Sequence, residues 1–271
     1  MRTYGLRFDV NCSILLTELP LLRRASAAAA AGFGGVEFWW PWGAMVPTDA
    51  EADAFVASIA EAGVELVSLN FHTGDMAAGE RGILSHPARV VEFRENVAAC
   101  TEIAGRTGCR RINAPYGLRV SAISVDAQDA VAVENLAFAA DAAGRVGASV
   151  LVEAINSVDI PGFPVDASAA AMALIEKARA EITGAGQVGF LADLYHLAKM
   201  GEDVADVLSR HRDSILHVQV ADPPGRGAPG TGTLDFEPLF GQLAEQGYGG
   251  WVGLEYLPGD PADSTTSLRW L

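Results

Sequence analysis

The feature that most constrains this chain is an alternation: eight short β-rich runs separated by stretches with helical spacing, from one end to the other. The runs are 4–11, 35–40, 65–71, 110–116, 149–155, 188–196, 215–222 and 250–258. The helical stretches between them are 17–31, 49–62, 87–107, 125–146, 166–182, 202–209 and 236–246. Within them, apolar residues fall on one helical face, as Phe55, Ile59 and Ala62 do. Thr48 and Asp166 stand where helix N-caps belong, and Gly63, Gly108, Gly147 and Gly247 where C-caps belong. After Pro258 only GDPADSTTSLRWL remains, so the eighth helix is expected to be short or missing.

Eight alternating strands and helices close into a parallel barrel or open into a doubly wound sheet. The ends of the strands separate the two. In each of the last four, an apolar run reaches a polar residue near its C-terminal end: Glu153, Asp193, Gln219 and Glu255. A doubly wound sheet gathers its chemistry at one crevice, whereas a barrel brings many strand ends to one mouth. The expected fold is an α/β (β/α)8 TIM barrel. With 271 residues, half of them hydrophobic, and no linker or low-complexity tract, 1–271 reads as a single domain.

Charge narrows the partners. The chain carries 19 Lys and Arg against 34 Asp and Glu, a net charge of −15, with no basic cluster. Such a surface repels phosphate backbones and anionic lipids, which argues against nucleic-acid or membrane partners and for a small molecule. No apolar run reaches the roughly 18–20 residues of a membrane span, and the first residues lack a signal peptide's pattern. Cys12, Cys100 and Cys109 show no paired spacing, as expected of buried thiols in the cytoplasm.

The strand-end residues sit in unusual company. Glu153 shares a face with Leu151 and Ile155, Asp193 follows Gly189 and Leu191, Gln219 shares a face with His217, and Glu255 follows Trp251 and Gly253. Burying an unpaired carboxylate costs several kcal/mol or more, about the penalty of an isolated charge in low dielectric. A salt bridge would meet that need, but these four strands contain no Lys or Arg. One divalent cation would neutralise three carboxylates at once. Three carboxylates and an amide oxygen form a hard, all-oxygen ligand set suited to Mg²⁺ or Mn²⁺. The candidate metal ligands are therefore Glu153, Asp193, Gln219 and Glu255.

The segments VEAIN, ADLYH, HVQVAD and GWVGLEYLP, which hold these residues, resemble the hydroxypyruvate isomerase family of the xylose-isomerase-like barrels. The resemblance extends through VNCSILLTELP, AGFGGVEFWWPW, GDMAAGERGILSHPARVVEFRENV, GCRRIN and the closing SLRWL, nearly the whole chain. It implies a metal held by Glu, Asp, a strand-seven ligand and Glu. Gln219 at the third place fits the isomerases, whereas related ketose epimerases have His. It also implies that Glu153 and Glu255 exchange protons with two adjacent carbons of a small hydroxy-carbonyl substrate, interconverting hydroxypyruvate and tartronate semialdehyde. Proton loss beside a carbonyl yields an enediolate, whose charge a bound cation stabilises.

Other residues are expected at the rim. His196 would hydrogen-bond a substrate oxygen, and Arg226 would grip a carboxylate. Asn11, Asn70 and Glu80 are further candidates for the substrate, and Glu37 and Asn113 also end strands. The loop with Trp39, Trp40 and Trp42 suits an apolar wall or a contact between copies in a homo-oligomer. The rim departs from the family at Ala198, Gly227, Ala228 and Gly259, where polar groups are usual, and this leaves a 2-oxo-tetronate isomerase or a ketose 3-epimerase as alternatives. A catalytically inactive metal-binding barrel is the more distant one.

Overall fold

A computed structural model describes residues 2–270. Eight parallel strands close into a barrel in sequence order. They are β1 (Arg7–Asn11), β2 (Gly35–Phe38), β3 (Glu65–Asn70), β4 (Arg111–Asn113), β5 (Ser149–Glu153), β6 (Val188–Asp193), β7 (Ile215–Val220) and β8 (Trp251–Leu254). Pairing of β1 with β8, Arg7 opposite Trp251 through Val10 opposite Leu254, closes the ring. The outer layer comprises α1 (Leu21–Ala30), α2 (Asp49–Ala62), α3 (Val90–Thr107), α4 (Val125–Gly144), α5 (Ser168–Glu181), α6 (Leu194–Lys199), α7 (Val204–Arg210), α8 (Phe236–Glu245) and α9 (Ser264–Ser267). The last helix is a single turn, as the shortness of the C-terminal sequence predicts.

Both faces of a barrel strand are covered, one by interior side chains and one by helices, and the strands read accordingly as continuous buried runs. All residues of β5 and β6 are buried. Alanine dominates the inner face of α4, where Ala132, Ala139, Ala140 and Ala143 are buried. Cys12, Cys100 and Cys109 are buried and unpaired. Thr48 closes a full capping box with Glu51 at the start of α2, and Gly63 and Gly108 take left-handed conformations as C-caps.

The element boundaries differ from expectation where tertiary contacts intervene. Helix α5 begins at Ser168 with Ala167 as its cap, not at Asp166. The stretch 188–196 is divided: the strand ends at Asp193 and α6 starts at Leu194. Asp193 produces the change itself, since its Oδ1 accepts the backbone N–H groups of Tyr195 (2.8 Å) and His196 (3.3 Å) as an N-cap. The turn brings His196 back over the barrel mouth.

Register aligns the strand ends. Asn11 lies opposite Glu37, Asn70 opposite Asn113, Asp193 opposite Gln219, and Gln219 opposite Gly253. Gly253 has a steric purpose, because a Cβ there would lie 2.7 Å from Glu37 Oε1 and 3.0 Å from Gln219 Cγ. Glycine on β8 thus leaves room for two side chains to meet across the barrel. Gly253→Ala should cost about 1–3 kcal/mol, the usual range for overpacking a filled interior, read as a lower urea midpoint at unchanged slope.

Candidate active site

At the C-terminal mouth the strand ends deliver a ring of polar side chains into an apolar wall. Glu153, at the end of β5, accepts a hydrogen bond from Asn113 Nδ2 at 2.7 Å. Its other oxygen, Oε1, faces His196 Nε2 at 3.6 Å, and Asp193 Oδ2 lies at the same distance from that nitrogen. One atom from each of Glu153, Asp193 and His196 lies within 4.8 Å of the others, and all three residues are buried.

Neighbouring donors define the protonation state of His196. The Nδ1 atom receives the backbone N–H of Asn156 (3.3 Å) and faces Asn156 Nδ2 at 2.6 Å. Nδ1 is thereby an acceptor, and the ring proton resides on Nε2, aimed between the two carboxylates. Burial pulls the pKa of this imidazole down to about 4, although Asp193 pulls the other way. His196 is a neutral Nε2–H donor at pH 7.

The opposite side of the mouth is organised by Glu37. Its Oε1 accepts Gln219 Nε2 (2.7 Å) and Asn11 Nδ2 (3.0 Å), and its Oε2 meets His217 Nε2 at 2.7 Å. Asn11 Nδ2 also reaches Glu255 Oε2 at 3.0 Å. Glu255 follows the last residue of β8, and its Oε1 receives Arg226 Nη2 at 2.5 Å. The guanidinium of Arg226 lies 5.4 Å over the Tyr195 ring. The loop after β7 therefore supplies the cation that the strands lack.

Burial pushes the pKa of Glu153 up to about 8, with the charge of Asp193 adding to the effect. Glu255 is also raised by burial, against the downward pull of Arg226. Two of the expected ligands present a buried acceptor with no hydrogen-bond partner among the described residues, Asp193 Oδ2 and Gln219 Oε1, as does Asn113 Oδ1 at the end of β4. Such bare oxygens are costly unless something else satisfies them. A hard divalent cation fits this donor set of two unpartnered oxygens beside Glu153 and Glu255, where three carboxylates face one arginine.

Six of the residues expected from sequence (Glu153, Asp193, His196, Gln219, Glu255 and Arg226) thus meet at the mouth, with Asn11 bridging Glu37 and Glu255. Asn70 is buried at the end of β3. Glu80 is engaged elsewhere: Arg89 Nη1 binds both its oxygens (2.7 and 2.9 Å), and its Oε2 accepts the backbone N–H of Asp75. That carboxylate holds the loop after β3 in shape.

Sequence reasoning missed Asn156, whose only signal is its place three residues beyond Glu153. It also missed Asp9, buried one layer below with neither carboxylate oxygen partnered among the described residues. Burial and then Glu37 raise the pKa of Asp9 well above the usual carboxylate range.

Comparison with known proteins adds a family to this geometry. Residues 25–271 match the model of a family described as xylose isomerase-like TIM barrel. A Streptomyces coelicolor protein, provisionally named a hydroxypyruvate isomerase, is 49% identical over 98% of this chain and 95% of its own. The Escherichia coli hydroxypyruvate isomerase is 36% identical, covering 98% of each chain. A 2-oxo-tetronate isomerase from Cupriavidus necator is also 36% identical, over 98% of this chain and 97% of its own. Among solved structures, one from Brucella melitensis titled AP endonuclease, family 2 superposes with a TM-score of 0.87 at 33% identity, covering 98% of this chain and 97% of that one.

The raised carboxylates make stability depend on pH in metal-stripped protein. Glu153 keeps its proton in the folded state between its ordinary 4.5 and about 8, whereas the unfolded chain loses it. The unfolded state then binds fewer protons, so stability falls as pH rises, by about 1.4 kcal/mol per pH unit and proton. His196, lowered from 6.5 to about 4, works in the opposite sense, but only below 6.5. Urea midpoints in EDTA should therefore fall between pH 6.5 and 8, and excess Mn²⁺ should remove the fall.

Proposed function

The chain belongs to the xylose isomerase-like TIM barrel family, in its hydroxypyruvate isomerase branch, and from that premise we propose that it is a metal-dependent isomerase of small 2-oxo hydroxy acids. Hydroxypyruvate, interconverted with tartronate semialdehyde, is the leading substrate. The observation that carries this reading is the pair of bare buried oxygens, Asp193 Oδ2 and Gln219 Oε1, between two carboxylates that nothing on their own strands neutralises.

Glu153, Asp193, Gln219 and Glu255 would hold the cation, and their all-oxygen character favours Mg²⁺ or Mn²⁺. When bound, the metal would supply positive charge against the anion that develops during proton abstraction. The chain's own residues do the rest. Glu153 and Glu255 come from β5 and β8, on different sides of the mouth, so one can take a proton from the carbon beside the carbonyl while the other returns one to the neighbouring carbon. Neutral His196 donates from Nε2 to the substrate oxygen on which charge accumulates, and Asn156 keeps it in the tautomer that can do so. Arg226 offers a planar guanidinium that matches a substrate carboxylate, and Tyr195 supports it from below.

The name of the C. necator relative supports a second reading, in which the substrate is a longer 2-oxo-tetronate. Small residues at Ala198, Gly227, Ala228 and Gly259 leave room around the same chemistry, and a ketose 3-epimerase would use the same two carboxylates. A nuclease is disfavoured by the net charge of −15, which opposes a phosphodiester backbone. No helix among the described residues is long and apolar enough to cross a membrane. The three unpaired cysteines suit the cytoplasm, and a homo-oligomer remains part of the proposal.

Proton exchange in D₂O, followed by NMR, tests the reading. Protein with Mn²⁺ or Mg²⁺ should incorporate deuterium beside the carbonyl of hydroxypyruvate, or faster with a 2-oxo-tetronate, and EDTA should abolish it. Glu153→Gln and Glu255→Gln should each lower the rate by about 10²–10⁴-fold, the usual worth of a positioned acid or base. Metal-loaded protein that exchanges none of these substrates would overturn the proposal in favour of an inactive metal-binding barrel.

A further inference from the structure

A side-chain amide is an ambiguous ligand. It has a carbonyl oxygen that binds cations and, at nearly the same place after a half-turn, an NH₂ group that repels them. Gln219 is the one amide in the candidate ligand set, so its orientation decides whether the site has four oxygen donors or three. Nothing on its own strand settles this.

We propose that Glu37 is a positioning residue that locks the amide of Gln219 with its oxygen toward the metal. The inference rests on the metal-dependent reading above. Glu37 Oε1 accepts Gln219 Nε2 at 2.7 Å, and the partner oxygen, Gln219 Oε1, is buried and unpartnered among the described residues. A carboxylate accepts hydrogen bonds and donates none, so only the NH₂ side of the amide can face it.

Glu37 is fixed in turn. His217 Nε2 meets its Oε2 at 2.7 Å, and Asn11 Nδ2 meets its Oε1 at 3.0 Å. Gly253 leaves the space through which Glu37 and Gln219 meet. The deeper cluster of Asp9, Glu37 and His217 resembles a second cation site in composition. The oxygens of Glu37, however, already take three N–H groups, so the cluster serves as a scaffold for the amide.

Binding of Mn²⁺ alone, read from the EPR signal of the free ion, provides the test, and a double-mutant cycle separates positioning from general electrostatics. In Glu37→Gln the residue can turn either its oxygen or its NH₂ toward Gln219, and Mn²⁺ affinity should fall about 10–100-fold, as for other groups that orient a metal ligand. In a Gln219→Met background there is no amide to orient, and adding Glu37→Gln should cause no further loss. Glu37→Asp keeps the charge beside His217 but withdraws the acceptor. It should weaken binding in the wild-type background only, and it serves as the reading if Glu37→Gln does not fold by circular dichroism.

Equal affinity in Glu37→Gln and wild type, or an undiminished loss in the Gln219→Met background, would overturn the inference while leaving the metal site intact. Failure of the wild-type protein to bind Mn²⁺ would remove the metal reading and this inference together.

Discussion

Four acidic or amide side chains at the mouth of a closed, low-dielectric barrel impose the constraint from which the rest of this structure follows. Like charges at this depth repel each other and resist ionisation, and the four strands that carry them contain no Lys or Arg to relieve them. Burial and Asp193 hold Glu153 near pKa 8, and Glu255 rises despite its contact with Arg226. The surrounding residues read as responses to that stress. Asn113 donates to Glu153, Arg226 donates to Glu255, and Asn11 links Glu255 to Glu37. Among the acceptors these donors leave unmet are Asp193 Oδ2 and Gln219 Oε1, the oxygens from which the proposal of a divalent ion starts.

The same ring orients the side chains around it. Asp193 has one oxygen committed to capping α6 and the other bare, which fixes the carboxylate and the start of the helix in one act. The cap turns His196 over the site, and Asn156 dictates which of its nitrogens carries the proton. Glu37 does for Gln219 what Asn156 does for His196: each partner removes one of two orientations or tautomers that the side chain alone would leave open. A neutral histidine and an oxygen-presenting amide are thus products of their neighbours as much as of their own chemistry.

Much of this was legible in the chain itself. The alternation of strands and helices, the glycine caps at Gly63 and Gly108, and the few residues after Pro258 predicted a barrel with a short last helix, because periodicity and cap chemistry are local properties. Glu153, Asp193, Gln219 and Glu255 stood out because a polar residue closing an apolar run needs a reason to be there. Less local features were read less well. The division of 188–196 into strand and helix depends on the Asp193 cap, whose energy competes with the β-propensity of the run. Glu80 looked available in its loop, but Arg89, nine positions away, occupies its carboxylate.

The sequence by itself determined the fold class, the apolar faces and the identity of the strand-end polar residues, since each follows from spacing along one element. Only the tertiary structure decided who partners whom: Arg226 with Glu255 across 29 positions, and Glu37 with Gln219 across 182. Such pairs depend on barrel closure and register, which place β2 and β7 side chains within hydrogen-bond reach over a glycine on β8. Hydrogen bonds act over about 3 Å, a distance that spacing along the chain does not encode and that a closed ring of strands imposes.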